Sequence, residues 1–351
     1  MTRPEGRRKR STLASVASAA GVSLATVSKV VNGRDDVAPD TRAEVERLLE
    51  EHEYVRSAKR RVPSGSRTIG LVFDDFMSPY ATELIRGVTD AGVESEVDVV
   101  VGRFSIDRAG PSSGAGWAQR LVRDGRDGVL VVTSDLTLQQ LAAFERARLP
   151  LVVIDPVHLP RADVTSIGAT NWSGSLSATE YLVGLGHRRI AFVRGPDGAM
   201  VGQARLHGYR AAMTNAGLTP EPDLVVAGDF GFEAGLAAGR RLLGMPDPPT
   251  AVVAVTDVAA FGVLQAAHAA GLRVPADLSV VGFDDTYMAA WSSPPLTTVH
   301  APLQEMGRVA LRTLLRIVDG GTVDSHHVEL ATELVVRAST GPPRQNRAAR
   351  G

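Results

Sequence analysis

From Thr68 onward, strand-length apolar runs alternate with helical patterns, and this alternation narrows the possible folds more than any other feature. The runs fall at 69–73, 97–101, 128–132 and 151–154, then in a second series at 190–193, 224–226, 251–255 and 278–281. Helical patterns lie between them at 80–92, 173–185, 204–216, 231–243 and 259–270. Strands without a polar face, separated by helices, predict parallel sheets covered on both sides. Two series of four or five units predict two similar lobes. In such sheets ligands bind at the carboxyl ends of the strands, where Asp74, Asp75, Asp155, Asp257, Asp284 and Asp285 stand.

The first fifty residues follow a different plan. Leu13, Val16, Ala17 and Ala20 have the i, i+3, i+4, i+7 spacing of a helix that buries one face. Gly21 suits a tight turn because it takes positive φ without steric penalty, and Ser23 suits an N-cap. In the next helix Val27, Val30 and Val31 share one side, while Ala25 and Lys29 point the opposite way. A third helix is expected at 41–53, with Val45, Leu48 and Leu49 inward. A turn between two short helices, the second showing small and basic residues outward, is the pattern of a helix-turn-helix that enters a DNA major groove.

Charge is distributed accordingly. The formal net charge of −1 conceals 13 Lys and Arg against 9 Asp and Glu in residues 1–63, so the remainder is acidic. A basic head on an acidic body fits a chain that meets phosphates at one end only. The basic run Arg7-Arg8-Lys9-Arg10 precedes apolar residues broken by Ser11, Thr12, Ser15 and Ser18, which is not a signal-peptide core. No segment has the ~18 apolar residues a membrane helix needs. The chain has no cysteine, which excludes disulfides, thiolate zinc sites and cysteine nucleophiles.

Val-Ala-x-x-Ala-Gly-Val-Ser-x-x-Thr-Val-Ser-x-Val-x-Asn-Gly at 16–33 resembles the headpiece of the lactose-repressor (LacI/GalR) family. Val37-Ala38-Pro39-Asp40-Thr41-Arg42 resembles that family's entry into its third helix. Further matches are Leu151-Val152-Val153-Ile154-Asp155, Leu185-Gly186-His187-Arg188-Arg189-Ile190 and, most specific, the 271–285 stretch ending Val281-Gly282-Phe283-Asp284-Asp285. The resemblance covers about 11–340. It implies an all-α helix-turn-helix headpiece at 11–56 and a basic linker at 57–67. A two-lobed α/β effector module like periplasmic sugar-binding proteins follows at 68–340, with three crossovers. The N-lobe would take about 68–169 and 302–329, the C-lobe about 170–301 and 330–340, leaving a disordered tail at 341–351.

The resemblance makes Leu24, Ala25 and Lys29 base-reading positions, with Thr12, Ser23, Thr26, Ser28 and Asn32 on phosphates. Leu24 and Ala25 have no side-chain donor and suit thymine methyls, whereas Lys29 can donate to guanine. Leu24 also sits laterally on its helix, so a core position is the ordinary alternative. The linker departs from the family's Ala-Arg-x-Leu hinge, whose leucine wedges into the minor groove. Here Ser57-Ala58-Lys59-Arg60-Arg61-Val62-Pro63 is about two residues short. Either Val62 is a weaker wedge, or Lys59, Arg60 and Arg61 contact phosphate alone.

For the effector, the resemblance points to Arg205 and Asp284 as paired contacts, Asp257 as a third polar one and Phe230 as a ring-packing aromatic. Tyr80 and Asn171 are further carry-overs. Carboxylates, an arginine and an aromatic face suit a sugar. Ala199 and Val201 stand where the purine-binding branch has an arginine and a threonine, which argues against a purine.

No Gly-x-Gly-x-x-Gly and no Gly-x-x-x-x-Gly-Lys phosphate loop is present. His187, His326 and His327 lack metal-ligand spacing. No enzyme activity, cofactor or metal is therefore expected. The expectation is a cytoplasmic, homodimeric, sugar-responsive regulator of transcription, a repressor bound to double-stranded operator DNA. A solute-binding protein of a sugar transporter is the alternative, and the 12–53 segment argues against it.

Overall fold

The computed structural model describes residues 13–31, 37–51, 67–74, 77–103, 113–158 and 161–344. They fall into two units divided near Gly65.

The first unit holds helices α1 (Leu13–Ala19), α2 (Leu24–Val31) and α3 (Pro39–Glu51). Gly21 takes φ of 64° between the first two, and the Ser23 side chain accepts from the Thr26 amide at 3.1 Å, capping α2. Val16, Ala17, Val27, Val30, Val45 and Leu48 form one small buried core. All three helices contribute to it, which is why each shows an apolar stripe and none is apolar all round.

The second unit contains two six-stranded sheets. The first half runs β1 (Arg67–Phe73), α4 (Pro79–Glu94), β2 (Val97–Arg103), α5 (Ser113–Arg123), β3 (Gly128–Val132), α6 (Leu138–Ala147), β4 (Leu151–Ile154) and β5 (Ser166–Ala169). The second runs α7 (Asn171–Gly184), β6 (Ile190–Val193), α8 (Met200–Asn215), β7 (Val225–Val226), α9 (Phe232–Leu243), β8 (Ala251–Ala254), α10 (Asp257–Ala269), β9 (Ser279–Asp284), α11 (Tyr287–Trp291) and β10 (Thr297–His300). Then α12 (Leu303–Val318) and β11 (His327–Leu330) return to the first lobe, and β12 (Glu333–Val335) ends in the second.

Strand order is β11-β5-β4-β3-β1-β2 in the N-lobe and β12-β10-β9-β8-β6-β7 in the C-lobe. All pairings are parallel except β10 with β12. The central strands β3 and β8 are buried at every position, as continuous apolar runs predict. The chain passes between lobes three times, at 169–171, 300–303 and 330–333. Helices pack closely through glycines: a Cβ on Gly87 of α4 would lie 2.0 Å from the Gln304 carbonyl oxygen of α12.

Three expectations change. Helix α8 starts at Met200, a turn before the 204–216 pattern. The run at 224–226 supplies a strand only at Val225–Val226, because 222–224 form a 3-10 turn. The tail is held through Arg344 instead of losing order at 341. His187 Nε2 donates to the Gly341 carbonyl at 2.8 Å, the Gly341 amide donates to Ser279 Oγ at 3.1 Å, and Arg344 pairs with Asp277 at 3.3 Å. Those bonds tie the segment to His187 before β6, to Ser279 at the start of β9 and to Asp277 just ahead of it.

Candidate functional site

The carboxyl ends of the strands in both lobes face one cavity of about 460 Å³, within the ~300–1,000 Å³ usual for small-molecule sites. Phe73, Asp74, Thr133 and Asp155 follow or end N-lobe strands there, and Tyr80 enters from the first turn of α4. From the C-lobe come Arg205 on α8, Phe230 before α9, and Asp284 at the end of β9.

Arg205 is 3% exposed and held from every side. Its Nε donates to Asn171 Oδ1 at 2.8 Å and its Nη1 to the Val255 carbonyl at 2.5 Å. Its Nη2 lies 3.3 Å from Asp284 Oδ1, and its guanidinium sits 3.6 Å over the Phe283 ring. A buried, planar cation fixed this way presents its remaining N–H groups in one direction. Across the cleft Tyr80 donates to Asp155 Oδ2 at 2.8 Å.

The backbone supports the same location. Thr133, Asp155, Asp284 and Asp285 adopt positive φ of 48°, 44°, 109° and 55°. Left-handed conformations are unfavourable for non-glycine residues and concentrate at functional sites. No well-formed hydrogen bond reaches Thr133 Oγ1, Asp155 Oδ1 or Asp284 Oδ1, although all three are buried. Burial pushes the Asp155 carboxyl above its usual range, against the pull of Arg205 and the Tyr80 hydrogen bond. It holds Asp284 well above that range too, with Arg205 opposing. Tyr80, desolvated and beside Asp155, is raised well above an ordinary phenol.

The cavity thus brings together Tyr80, Arg205, Phe230 and Asp284 of the expected set. Asn171 stands behind Arg205 and orients it, itself donating to the Ala169 carbonyl at 2.9 Å. Asp257 is a correction: it does not line the cavity. Its Oδ2 accepts from the Thr286 amide and hydroxyl at 2.7 and 3.1 Å, and its Oδ1 from Thr298 at 2.5 Å. Both oxygens are consumed in joining α10 to β10 and the start of α11. Thr256 and Val258, on either side of it, face the cavity instead. Asp74, Thr133 and Asp155 were not singled out by the resemblance; a carboxylate directly after an apolar run was the available signal for two of them. Val201 lines the wall with an apolar side chain. His187 is structural, bonded to Thr250 Oγ1 at 2.8 Å.

In the first unit Leu24 is 53% exposed and Ala25 and Lys29 are exposed, while Val27 and Val30 are buried. Leu24 is therefore not a core residue. Ser23 and Thr26 bond to each other at 2.9 Å at the amino end of α2. Thr12, Asn32, Lys59, Arg60, Arg61 and Val62, with the side chain of Ser28, lie outside the described residues.

Residues 12–57 match the model of bacterial regulatory proteins of the lacI family, and 179–340 match a periplasmic binding protein-like domain. The HTH-type transcriptional regulator CelR of Thermobifida fusca is 36% identical over 345 residues, covering 95% of this chain and 99% of that protein. The chain belongs to the LacI family. Among solved family structures, a transcriptional regulator CelR–cellobiose complex is 35% identical with a TM-score of 0.70, covering 94% of this chain and 100% of that one. The lac repressor dimer bound to operator and the anti-inducer ONPF is 29% identical with a TM-score of 0.68, covering 95% and 100%. This LacI-family chain is a DNA-binding transcriptional regulator, and the relatives it matches are regulators, not enzymes. Among the described residues no helix is long and apolar enough to cross a membrane, and no group of three or more His, Cys, Asp or Glu is placed to hold a metal.

Proposed function

We propose that this chain is a homodimeric transcriptional repressor of the cytoplasm whose hold on operator DNA is set by a sugar bound between its lobes. One observation carries the reading: Arg205 and Asp284, paired at 3.3 Å, close the C-lobe side of a cavity bounded on its N-lobe side by Tyr80 and Asp155. A ligand that contacts both lobes binds one relative placement of them better than another, which is the differential affinity a switch requires. Arg205 and Asp284 take the sugar hydroxyls, Phe230 takes a ring face, Tyr80 closes the opposite wall, and Asn171 positions Arg205. The cellobiose in the CelR complex supports a sugar as the ligand class.

On DNA, Lys29 donates to a base edge, with Leu24 and Ala25 beside it against methyl groups. Ser23, Thr26, Ser28, Thr12 and Asn32 hold phosphates, and Lys59, Arg60, Arg61 and Val62 form the hinge contacts. Two copies then read a pseudopalindrome. The dimeric state of the lac repressor supports pairing.

Selection from a random DNA pool with the full-length protein at fixed salt tests the reading. A palindromic consensus, released when a sugar is added, is the expected result. An asymmetric consensus would remove the dimer, and a palindrome indifferent to every sugar would remove the effector.

A further inference from the structure

The two lobes meet at one edge of the cleft as well as through the three passages. The Met200 amide, at the start of α8 in the C-lobe, donates to the Val157 carbonyl, in the loop after β4 of the N-lobe, at 3.0 Å. Beside that bond the His158 imidazole lies against Gly198 of the C-lobe. A Cβ on Gly198 would sit 3.2 Å from His158 Nε2 and 3.6 Å from its Cε1. Gly198 also takes φ of 83°, so glycine suits the position on two counts.

The N-lobe itself fixes where His158 stands. Its Nδ1 lies 3.3 Å from Asp135 Oδ1, and the backbones at Asp135 and His158 form an isolated parallel bridge. These two residues are on the loops that follow β3 and β4. Across the cleft, β6, whose loop carries Gly198, is separated from β10 by β8 and β9. The contact therefore lies away from the passage at 300–303, where it resists opening of the lobes. Val157 and Val201, next to the cross-cleft bond, line the cavity. Spreading the lobes at this edge breaks the bond and uncovers them.

We infer that Asp135, His158, Gly198 and the Val157–Met200 bond form a clasp that holds the lobes closed without an effector, with His158 as its positioning residue. The clasp is independent of what the cavity binds. Its regulatory consequence rests on the switch proposed above: a chain closed by its own contacts already populates the placement that the effector favours. A loosened clasp therefore tightens the hold on operator when no sugar is present.

Hydrogen exchange in the full-length, sugar-free protein tests this. The Met200 amide is in the first turn of α8, where a helix supplies no acceptor of its own, so its protection reports the bond to Val157. It should exchange at least about tenfold more slowly than an open amide. His158→Ala and Asp135→Ala should each speed it about fivefold, the order of one hydrogen bond, and the double variant should go no further than His158→Ala alone. Both side chains are exposed, so the β8 amides should keep their protection in each variant. Operator affinity without sugar should rise several-fold in both. A Met200 amide that is unprotected in the wild type, or that neither substitution speeds, overturns the clasp. Additive effects in the double variant overturn the role of Asp135 in holding His158. Faster exchange with unmoved operator affinity overturns the switch reading instead, an outcome distinct from the other two.

Discussion

The hydroxyls of Thr170 and Thr332 meet at 2.9 Å where the first and third passages between the lobes run side by side. The Thr332 amide donates to Thr170 Oγ1 at 3.0 Å, and Thr332 Oγ1 donates to the Thr170 carbonyl at 3.2 Å. The second passage is tied in as well, since the Ala301 amide donates to the Asp284 carbonyl at 3.3 Å. Asp285 then grips His300 at 3.1 Å and Arg337 at 2.6 Å. The cavity residue Asp284 is thus one bond from the segments on which the lobes turn. Thr332→Val should lower stability by about 1 kcal/mol and shift the sugar concentration for half-release of operator several-fold. Urea unfolding and an operator-release titration check the two effects; an unmoved release curve would show the passages to be passive.

Among the described residues that line the cavity Arg205 is the one cation, and its loss leaves Asp284 without its partner. Arg205→Ala should abolish sugar binding and cost about 3–5 kcal/mol of stability, with operator selection by the headpiece retained. Asp284→Ala added to it should recover part of that loss. A double-mutant cycle by urea unfolding reads the coupling, and strictly additive losses would mean the pair is not coupled.

Lys29 presents its ammonium from the exposed side of α2. Lys29→Ala should relax base preference at one position of each half-site, by about 1–3 kcal/mol of discrimination. Sequence selection with wild type and variant compares them position by position, and identical preferences would move the reading residue elsewhere.

Asp257 gives a pH dependence. Burial pushes its carboxyl up to about 7, against the three hydrogen bonds it accepts. Because the folded value is raised, its contribution is complete below the unfolded value near 3.8 and is lost as pH rises through about 7. Stability should therefore fall from pH 5 to pH 8, by no more than about 1.4 kcal/mol per pH unit from this group. Asp257→Asn should flatten that slope; a slope of the same steepness in the variant would place its origin in another group.

The packing of α7 on α8 leaves no room at Gly208, where a Cβ would lie 2.2 Å from the Trp172 carbonyl oxygen. Gly208→Ala should cost about 1–3 kcal/mol or more. Gly184, at the end of α7, has nothing within 4 Å of the same added atom, so Gly184→Ala should be neutral or stabilising by about 0.5–1 kcal/mol. Thermal melts of the pair separate helix propensity from close packing.

Periodicity located what it could act upon. Gly128–Val132 and Ala251–Ala254 stand out because both faces of a central strand are buried. Ser166–Ala169 and His327–Leu330 do not, since four residues of mixed polarity at one side of a sheet leave no pattern. Helix α12 was within reach of the same reasoning, with Leu303, Met306, Ala310 and Leu314 buried at helical spacing. At the cavity, Asp155 and Asp257 look alike in sequence, each following an apolar run. Their fates diverge in the backbone: Asp155 turns left-handed into the cleft, whereas Asp257 begins a helix and turns its carboxylate back to Thr286 and Thr298. No local pattern encodes that choice, because Thr298 is forty-one residues away.

Helix α12 and strand β11 complete the N-lobe, the helix against α4 at Gly87 and the strand alongside β5, yet both follow β10 in the chain, with β12 the one C-lobe strand still to come. A ribosome that has delivered residues up to 300 has released an N-lobe sheet with β5 at an open edge and the seat of α12 uncovered. Domains usually mature in the order of synthesis. Here the lobe that is translated first waits for five of the second lobe's six strands before it can be finished, and for that time its apolar seat is open to chaperones and to neighbouring nascent chains.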